Sequence, residues 1–419
     1  MVPKIKNIMD QILRERISKQ NAFHGLNQEN ELRFTYPKLK GNIGPHMSYD
    51  EKEMIIWSIN DYINIANHKE VLALEKELIE QHSLSYPMGS RIMSGNIKEH
   101  EHLEERLAKH VEKESALLLN LGYPGIFSVI DSLLTRHDIV IYDEECHAST
   151  IDGIRLHRGI RMPYRHNNIN SLKHKLNRAV NIIDKSGYIL IITEGVFSMK
   201  GNFGILKQIS ELKEVYNFLF LVDDSHGFGV FGEKGKGTGS YFGVQDSIDL
   251  YFSTFTKALA TLGGFIASSE PIIHFLKYSV RSQIFGRALP FVITKSLTKR
   301  LEIMQSSDAE RYIILKKASI LRKRLIELNY NVGQDNSPIV CVHLTITIER
   351  ALSFISKLRD EFNIFCSGIT YPAIPKGELI IRLVVTFNHS FDDIERTLFA
   401  FQKLRKRSAF FNHSMILSQ

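Results

Sequence analysis

Between residues 56 and 300, short apolar runs alternate with charged stretches of helical period. The runs 139–142 (IVIY), 188–192 (YILII), 218–222 (FLFLV) and 249–253 (DLYFS) have the length and β-branched or aromatic content of buried strands. Stretches such as 100–112 and 206–215 carry the helical pattern. Strands alternating with helices predict an α/β layer on a mostly parallel central sheet. Pro290 closes this region, and a long helical stretch over about 293–329 leads into a smaller unit. There the pattern predicts strands at 338–344 and 379–385 and helices near 348–361 and 391–405. The expected organisation is an N-terminal arm (1–55), a large domain (56–300) and a smaller α+β C-terminal domain (301–419). The arm reads as a charged helix followed by a loop punctuated with Pro and Gly.

The chain has 419 residues, 43% hydrophobic and 24% charged, which is enough to bury one large core and one smaller one. Cys146, Cys341 and Cys366 are scattered and have neither the spacing of a metal site nor that of a disulfide framework. A reducing, cytoplasmic setting and no metal are expected. The N-terminal segment is charged throughout, and no stretch reaches the ~20 apolar residues of a membrane span, so a transmembrane segment is not expected. Peripheral contact with a membrane stays open. A net charge of +7 suits anionic partners such as a phosphorylated cofactor, coenzyme A or an acidic carrier protein, and equally a lysine-rich solvated surface. No nucleic-acid motif accompanies it, so no nucleic acid is expected as a partner.

Ligands of open α/β sheets bind beyond the carboxyl ends of the strands. Those ends carry His147 after 139–142, then Thr193, Glu194 and Ser198 after 188–192. Asp223 and His226 follow 218–222, and Thr254 and Lys257 follow 249–253. In "LVDDSHGFG" (221–229), Asp223 can hold a pyridine nitrogen protonated, which makes the ring an electron sink. His226 can then bond a phenolic oxygen or orient Asp223. A capped turn with a solvated carboxylate fits this segment equally well. In "FSTFTKALATLGGFIA" (252–267), Lys257 is backed by Ser253, Thr254 and Thr256, which suits a Schiff base to pyridoxal 5′-phosphate (PLP). A lysine there without Asp223 on the neighbouring strand would more often be solvated.

"LGYPGIFS" (121–128) places Gly122 and Tyr123 at a helix N-terminus, where backbone amides can hold phosphate. His147, in "EECHASTIDG", can stack on a cofactor ring and donate to a substrate oxygen, or can be a satisfied structural histidine. Arg382 interrupts the apolar strand "ELIIRLVV" (378–385) and needs an anion, either a substrate carboxylate or an internal partner. Two look-alikes are set aside. "GEKGKGTGS" (232–240) lacks the spacing of a phosphate loop. In "HEHLEE" (100–105), helical geometry parts His100 from His102, which predicts an exposed polar stripe rather than a metal cluster.

Taken in order, the segments resemble the α-oxoamine synthases among fold-type I PLP-dependent transferases, over residues 57 to 400. They are "SINDY" (58–62), "GSRIMSGNIKEHEHLE" (89–104, with Gly95, His100, Leu103 and Glu104 at family spacing), "CHAS", "TEGVFSMKG" (193–201), "VDDSHGFGVFGEKGKG" (222–237), "TFTKALATLGGFIA" and "YPAIPKGELIIRL" (371–383). "HNN" (166–168), "TFTK" and "RSQIFGRALP" (281–290) look most like the bacterial, Bacteroidetes-type serine palmitoyltransferases. The resemblance implies a decarboxylative condensation of an amino acid with an acyl thioester, with serine and palmitoyl-CoA as first choice and 3-ketodihydrosphingosine as product. Cysteate, glycine or alanine, or an acyl carrier protein as donor, are the alternatives within the family. A silent partner subunit is the alternative outside it, against which Lys257, Asp223 and His147 all argue.

Carried over by position, Lys257 is the Schiff-base lysine, Asp223 the pyridine-nitrogen partner, His226 the contact to the phenolic oxygen and His147 the ring-stacking residue. Gly122, Tyr123 and Thr254 hold the phosphate, Ser198 lies beside the cofactor oxygen, Glu194 lies near the acyl channel and Arg382 binds the amino-acid carboxylate. Asn60 and Tyr62 reach the site across the interface of a homodimer. Gly286-Arg287 stand where many members have Ser-Thr, so Arg287 replaces a neighbour's threonine contact to phosphate. Thr370 stands where some members carry a second arginine.

Overall fold

A computed structural model of the chain describes residues 8–13, 15–16, 34–333, 335–344, 346–370, 374 and 379–407. It divides into two compact units, Asn60–Leu315 on one side and Met1–Ile59 with Lys316–Gln419 on the other. The division therefore falls inside the helix Asp308–Glu327 rather than at 300, and the described part of the arm groups with the C-terminal segment. A strand pairing explains that grouping: Lys52–Ile56 runs parallel to Ile364–Phe365, with Ile55 opposite Ile364.

The unit Asn60–Leu315 is built on a seven-stranded sheet. Its spatial order is Ser115–Leu119, Gly264–Ser268, Leu250–Thr254, Leu219–Asp223, Ile189–Glu194, Ile139–Asp143 and Ile160–Tyr164. Gly264–Ser268 is antiparallel to both of its neighbours, and the remaining pairs are parallel. Val140, Leu190, Ile192, Leu221, Leu250 and Ile266 form one apolar cluster with Ile126, Val129 and Ile130 of the helix Gly122–Leu133. Strands covered on both faces need apolar residues at every position, which is why they read as unbroken apolar runs. Each fully buried Leu, Ile or Phe contributes roughly 1.5–3 kcal/mol of transfer free energy. Glu194 and Asp223 are register partners, so two carboxyls stand side by side at the carboxyl end of the sheet.

The other unit holds a four-stranded antiparallel sheet ordered Asn331–Val332, Ile339–His343, Ile380–Val384 and Ser367–Ile369. The helices Ile348–Phe362 and Phe391–Arg405 belong to the same unit. The hairpin His46–Tyr49 and Lys52–Ile56 stands where a loop is expected. Its two turn residues, Asp50 and Glu51, both have positive φ, 49° and 60°. That turn favours Asn-Gly, so this sequence carries no such signal. The single helical stretch expected over 293–329 is two helices, Phe291–Ser306 and Asp308–Glu327. The break falls at Ser307, which closes the first helix and whose hydroxyl donates back to the Ile303 carbonyl at 2.8 Å. Among the described residues, no helix is long and apolar enough to cross a membrane.

Candidate active site

The carboxyl ends of four parallel strands converge on a cavity of about 350 Å³ in the unit Asn60–Leu315. Its lining includes Gly122, Tyr123, His147, Glu194, Ser198, Asp223, His226, Thr254 and Lys257, nine of the residues the sequence singles out. Ser149, Val196, Ser225, Phe252 and Thr256 complete much of the wall.

Asp223 closes its strand and is buried. One carboxylate oxygen accepts from the Ser225 amide at 3.1 Å and from its hydroxyl at 2.6 Å. Burial pushes the carboxyl above its usual range, while Ser225, His147 and Lys257 pull it back. A carboxylate this deep is costly unless a cation faces it, and a protonated pyridine nitrogen is such a cation. Ser225 also ties this strand end to the next, since its hydroxyl accepts from the Thr254 amide at 3.2 Å. Its only sequence signal is its place two residues after Asp223, where a side chain closes a local turn.

Gly122 opens the helix Gly122–Leu133, and Thr254 stands against it. A Cβ on Gly122 would lie 2.5 Å from the Thr254 hydroxyl oxygen and 2.7 Å from its Cβ, so only glycine fits. The Thr254 hydroxyl donates to the Gly263 carbonyl at 2.9 Å and lies 3.1 Å from the Thr256 hydroxyl. Helix-terminal amides facing a hydroxyl cluster make a cradle for phosphate. Tyr123 donates its phenol to Asp152 at 2.6 Å, and its ring meets His147 edge-on at 5.9 Å.

His147 caps the helix Ala148–Leu156. Its Nδ1 accepts from the Ser149 amide at 3.3 Å and lies 2.7 Å from the Ser149 hydroxyl. Burial lowers the ring's pKa, Asp223 opposes that, and Lys257 adds to it. A neutral ring whose Nδ1 accepts carries its proton on Nε2. Glu194 accepts from the His147 amide at 2.5 Å, and the Ser198 amide also donates to it. Burial, and then Asp223 beside it, hold the Glu194 carboxyl well above the usual range. Glu194 thus fixes the turn that carries His147 in addition to lining the cavity.

Tyr62 bonds His226 Nδ1 through its hydroxyl at 2.7 Å, within the same chain. The segment after Asn60 enters the same unit and brings Tyr62, fully buried, beside His226. The Asn60 carbonyl accepts from the Tyr62 amide at 2.9 Å, and Asn60 is not among the lining residues. Arg287 donates to the Leu84 carbonyl at 2.7 Å, and it does not line the cavity either. Arg382 lies in the other unit, buried in Ile380–Val384 between Cys341 and Ser367. Of the stretch 371–378, only Ile374 is among the described residues. The exposed stripe expected at 100–105 is half buried: His100 bonds the Leu289 carbonyl at 2.8 Å, and Glu104 pairs with Arg91, while His102 faces outward. Positions i and i+4 of the helix Lys98–His110 point inward together.

Residues 52–400 match the family described as aminotransferase class I and II. A cysteate-C-fatty acyltransferase of Capnocytophaga ochracea is 44% identical over 89% of this chain and 89% of its own length. An 8-amino-7-oxononanoate synthase of Thermoanaerobacter pseudethanolicus is 33% identical, covering 88% and 92%, and the serine palmitoyltransferase of Sphingobacterium spiritivorum is 30% identical, covering 92% and 95%. The chain belongs to the α-oxoamine synthase family of PLP enzymes. Among solved structures, a lysine variant of serine palmitoyltransferase from S. paucimobilis with a bound PLP–myriocin aldimine has a TM-score of 0.84 and 26% identity, over 92% of this chain and 97% of that one. This α-oxoamine synthase therefore has the fold-type I architecture and uses PLP. The glycine-lined cradle at Gly122 and the buried Asp223 fit that cofactor's phosphate and ring nitrogen.

Proposed function

We propose that this α-oxoamine synthase condenses L-cysteate with a fatty acyl thioester, releasing the thiol and carbon dioxide and leaving an α-amino ketone that keeps the sulfonate. The observation behind the choice of amino acid is the 44% identity to a cysteate-C-fatty acyltransferase, against 30% to a serine palmitoyltransferase. The serine and palmitoyl-CoA reaction expected from the sequence stands second, supported by the likeness to solved serine palmitoyltransferases at a TM-score of 0.84. Lys257 in the cavity with Asp223 and His147 speaks against a silent subunit.

When bound, PLP supplies the electron sink that stabilises negative charge at the amino-acid Cα. Gly122, Tyr123 and Thr254 hold its phosphate, and Asp223 keeps the ring nitrogen protonated. Lys257 takes the Cα proton and later returns one there. His147, with its proton on Nε2, donates to the acyl oxygen as negative charge develops on it. His226, held by Tyr62, would contact the cofactor's phenolic oxygen, and Ser198 would stand near that oxygen. Arg382 binds the amino-acid carboxylate. Glu194 positions His147.

The test is mass spectrometry of products from purified holoenzyme given equal cysteate, serine, glycine and alanine. Palmitoyl-CoA and palmitoyl carrier protein serve as donors in separate reactions. A dominant amino-ketone sulfonate is expected. A dominant serine product would install the second reading, and no condensation product from any pair would defeat both.

A further inference from the structure

The segment "HNN" (166–168) lies outside the cavity lining, yet it joins two of the turns that form the cavity. His166 Nδ1 lies 2.9 Å from Asp143 Oδ1, and its Nε2 lies 2.7 Å from the Asn202 side-chain nitrogen. Since that nitrogen can only donate, Nε2 accepts, and the ring proton sits on Nδ1, pointing at Asp143. Asp143 is fully buried. It also accepts from the Glu145 amide at 2.9 Å and from the Asn167 amide at 2.9 Å. One carboxylate therefore organises both the 143–147 turn, which ends at His147, and the 165–168 turn.

The second attachment runs to the loop 196–203, which carries Ser198. The loop's own hydrogen bonds run from Phe197 N to the Asn202 carbonyl at 2.9 Å and from Gly201 N to the Phe197 carbonyl at 2.8 Å. The Asn167 side chain donates to the Phe203 carbonyl at 2.8 Å, and the His166 ring stands edge-on to Phe197 at 4.5 Å. A salt bridge between Lys200 and Glu145, 2.5 Å, closes the same gap from the other side. Inside this frame, Glu194 receives the amides of both His147 and Ser198. The two cavity turns are thus clamped twice, by Glu194 at the cavity and by Asp143–His166–Asn202 behind it.

We infer that His166 is a positioning residue: hydrogen-bonded between Asp143 and Asn202, it locks the turn carrying His147 to the loop carrying Ser198 and so sets where His147 meets the reacting atoms. The inference rests on the role proposed above for His147. The cradle residues Gly122 and Thr254 take no part in this clamp, so the proposed phosphate contacts do not run through it. A displacement of order 1 Å at a catalytic group can slow a reaction on the order of a hundredfold.

The experiment is a double-mutant cycle of His166→Ala and His147→Ala, made in the full-length holoenzyme. It reads exchange of the amino-acid Cα proton by NMR, kcat for condensation, and PLP occupancy by absorbance. His166→Ala alone should lower kcat about tenfold or more with PLP occupancy unchanged. In the His147→Ala background it should change the Cα exchange rate and kcat by less than about twofold, because its effect runs through His147. Asn202→Ala removes only the outer hydrogen bond and should lower kcat several-fold, which keeps the test intact if His166→Ala does not fold. Wild-type kcat in His166→Ala or in Asn202→Ala overturns the inference, as does full additivity with His147→Ala. If His147→Ala itself leaves kcat unchanged, the proposed role of His147 fails first, and it fails separately from the clamp.

Discussion

At the scale of single residues, the proposed roles separate holding the cofactor from activating it. Asp223 is buried at a strand end, and burial is the first cause of its raised pKa. In the proposed role that cost is offset by a protonated ring nitrogen facing it, and the carboxylate would act on the electronics of the ring. Asp223→Asn should therefore slow Cα-proton exchange by orders of magnitude while PLP occupancy changes little. Exchange at the wild-type rate in this variant would remove the role. Arg382 stands in the middle of an apolar strand and is itself buried. A charge-assisted pair to a carboxylate is worth roughly 1.5–3 kcal/mol. Arg382→Ala should then raise the amino-acid KM roughly ten- to a hundredfold, with the acyl-thioester KM nearly constant. An unchanged amino-acid KM would make Arg382 a structural ion. Most of the cavity lining was legible in the sequence because titratable residues directly after apolar runs have few structural uses. Ser225 was not, since a serine in a turn is ordinary until its hydroxyl is seen bridging Asp223 and Thr254.

At the scale of elements, the N-terminus of the helix Gly122–Leu133 is the most constrained junction. Gly122→Ala would place a methyl 2.5 Å from the Thr254 hydroxyl oxygen, so helix and strand end must part. The expected outcome is a folded protein whose PLP dissociation constant, read by absorbance titration of the apoenzyme, rises about tenfold or more. Unaltered affinity would show that this helix end does not hold the phosphate. The smaller unit offers a pH prediction. His389 stacks on Trp57 at 4.0 Å, its Nδ1 meets Thr386 and its Nε2 meets the Ile56 carbonyl, and burial pushes its pKa down to about 4. Asp393 opposes that shift, while Lys317 and His46 add to it. A histidine titrates near 6.5 in an unfolded chain. The unfolded state thus binds more protons between the two values, so stability rises with pH there. The contribution, on the order of 3 kcal/mol, is complete above the unfolded value and is lost as pH falls toward the folded one. Urea unfolding of wild type and His389→Asn at about pH 5 and about pH 8 should show a smaller acid loss in the variant. Equal losses would assign the acid sensitivity to other groups.

At the scale of the whole molecule, the larger unit exposes Leu84, Tyr86, Met88, Ile92 and Met93 along one short stretch of chain, and Phe285 two residues before Arg287. Apolar side chains grouped in this way mark an interface. Arg287 lies beside them, bonded to the Leu84 carbonyl. We propose that a second copy of the chain covers this surface and that Arg287 turns toward the partner's cofactor phosphate. Light scattering at micromolar concentration should give twice the chain mass of 48.1 kDa. Mixing inactive Lys257→Ala with Arg287→Ala, if the latter is also inactive, should restore partial activity, because one hybrid site carries neither change. A monomer by scattering, or no recovery despite demonstrated subunit exchange, would refute the shared site.

The sequence by itself marked four of the seven strands of the large sheet, the parallel ones that carry the cavity, because strands covered on both faces leave unbroken apolar runs. For the chemistry it supplied candidates, a strand-end aspartate and a strand-end lysine flanked by hydroxyls, and the resemblance to α-oxoamine synthases implied the cofactor they would serve. It did not determine the hairpin 46–56, whose turn uses Asp50 and Glu51 where glycine would have signalled it. Nor did it bring Tyr62 beside His226. Those outcomes depend on contacts between segments distant in sequence, such as Tyr62 with His226 and Ile55 with Ile364, and periodicity is blind to such partners. The clamp at His166 is of the same kind. Its partners Asp143 and Asn202 come from separate stretches of chain, and only the folded sheet, by bringing two strand ends level, sets them at hydrogen-bonding distance.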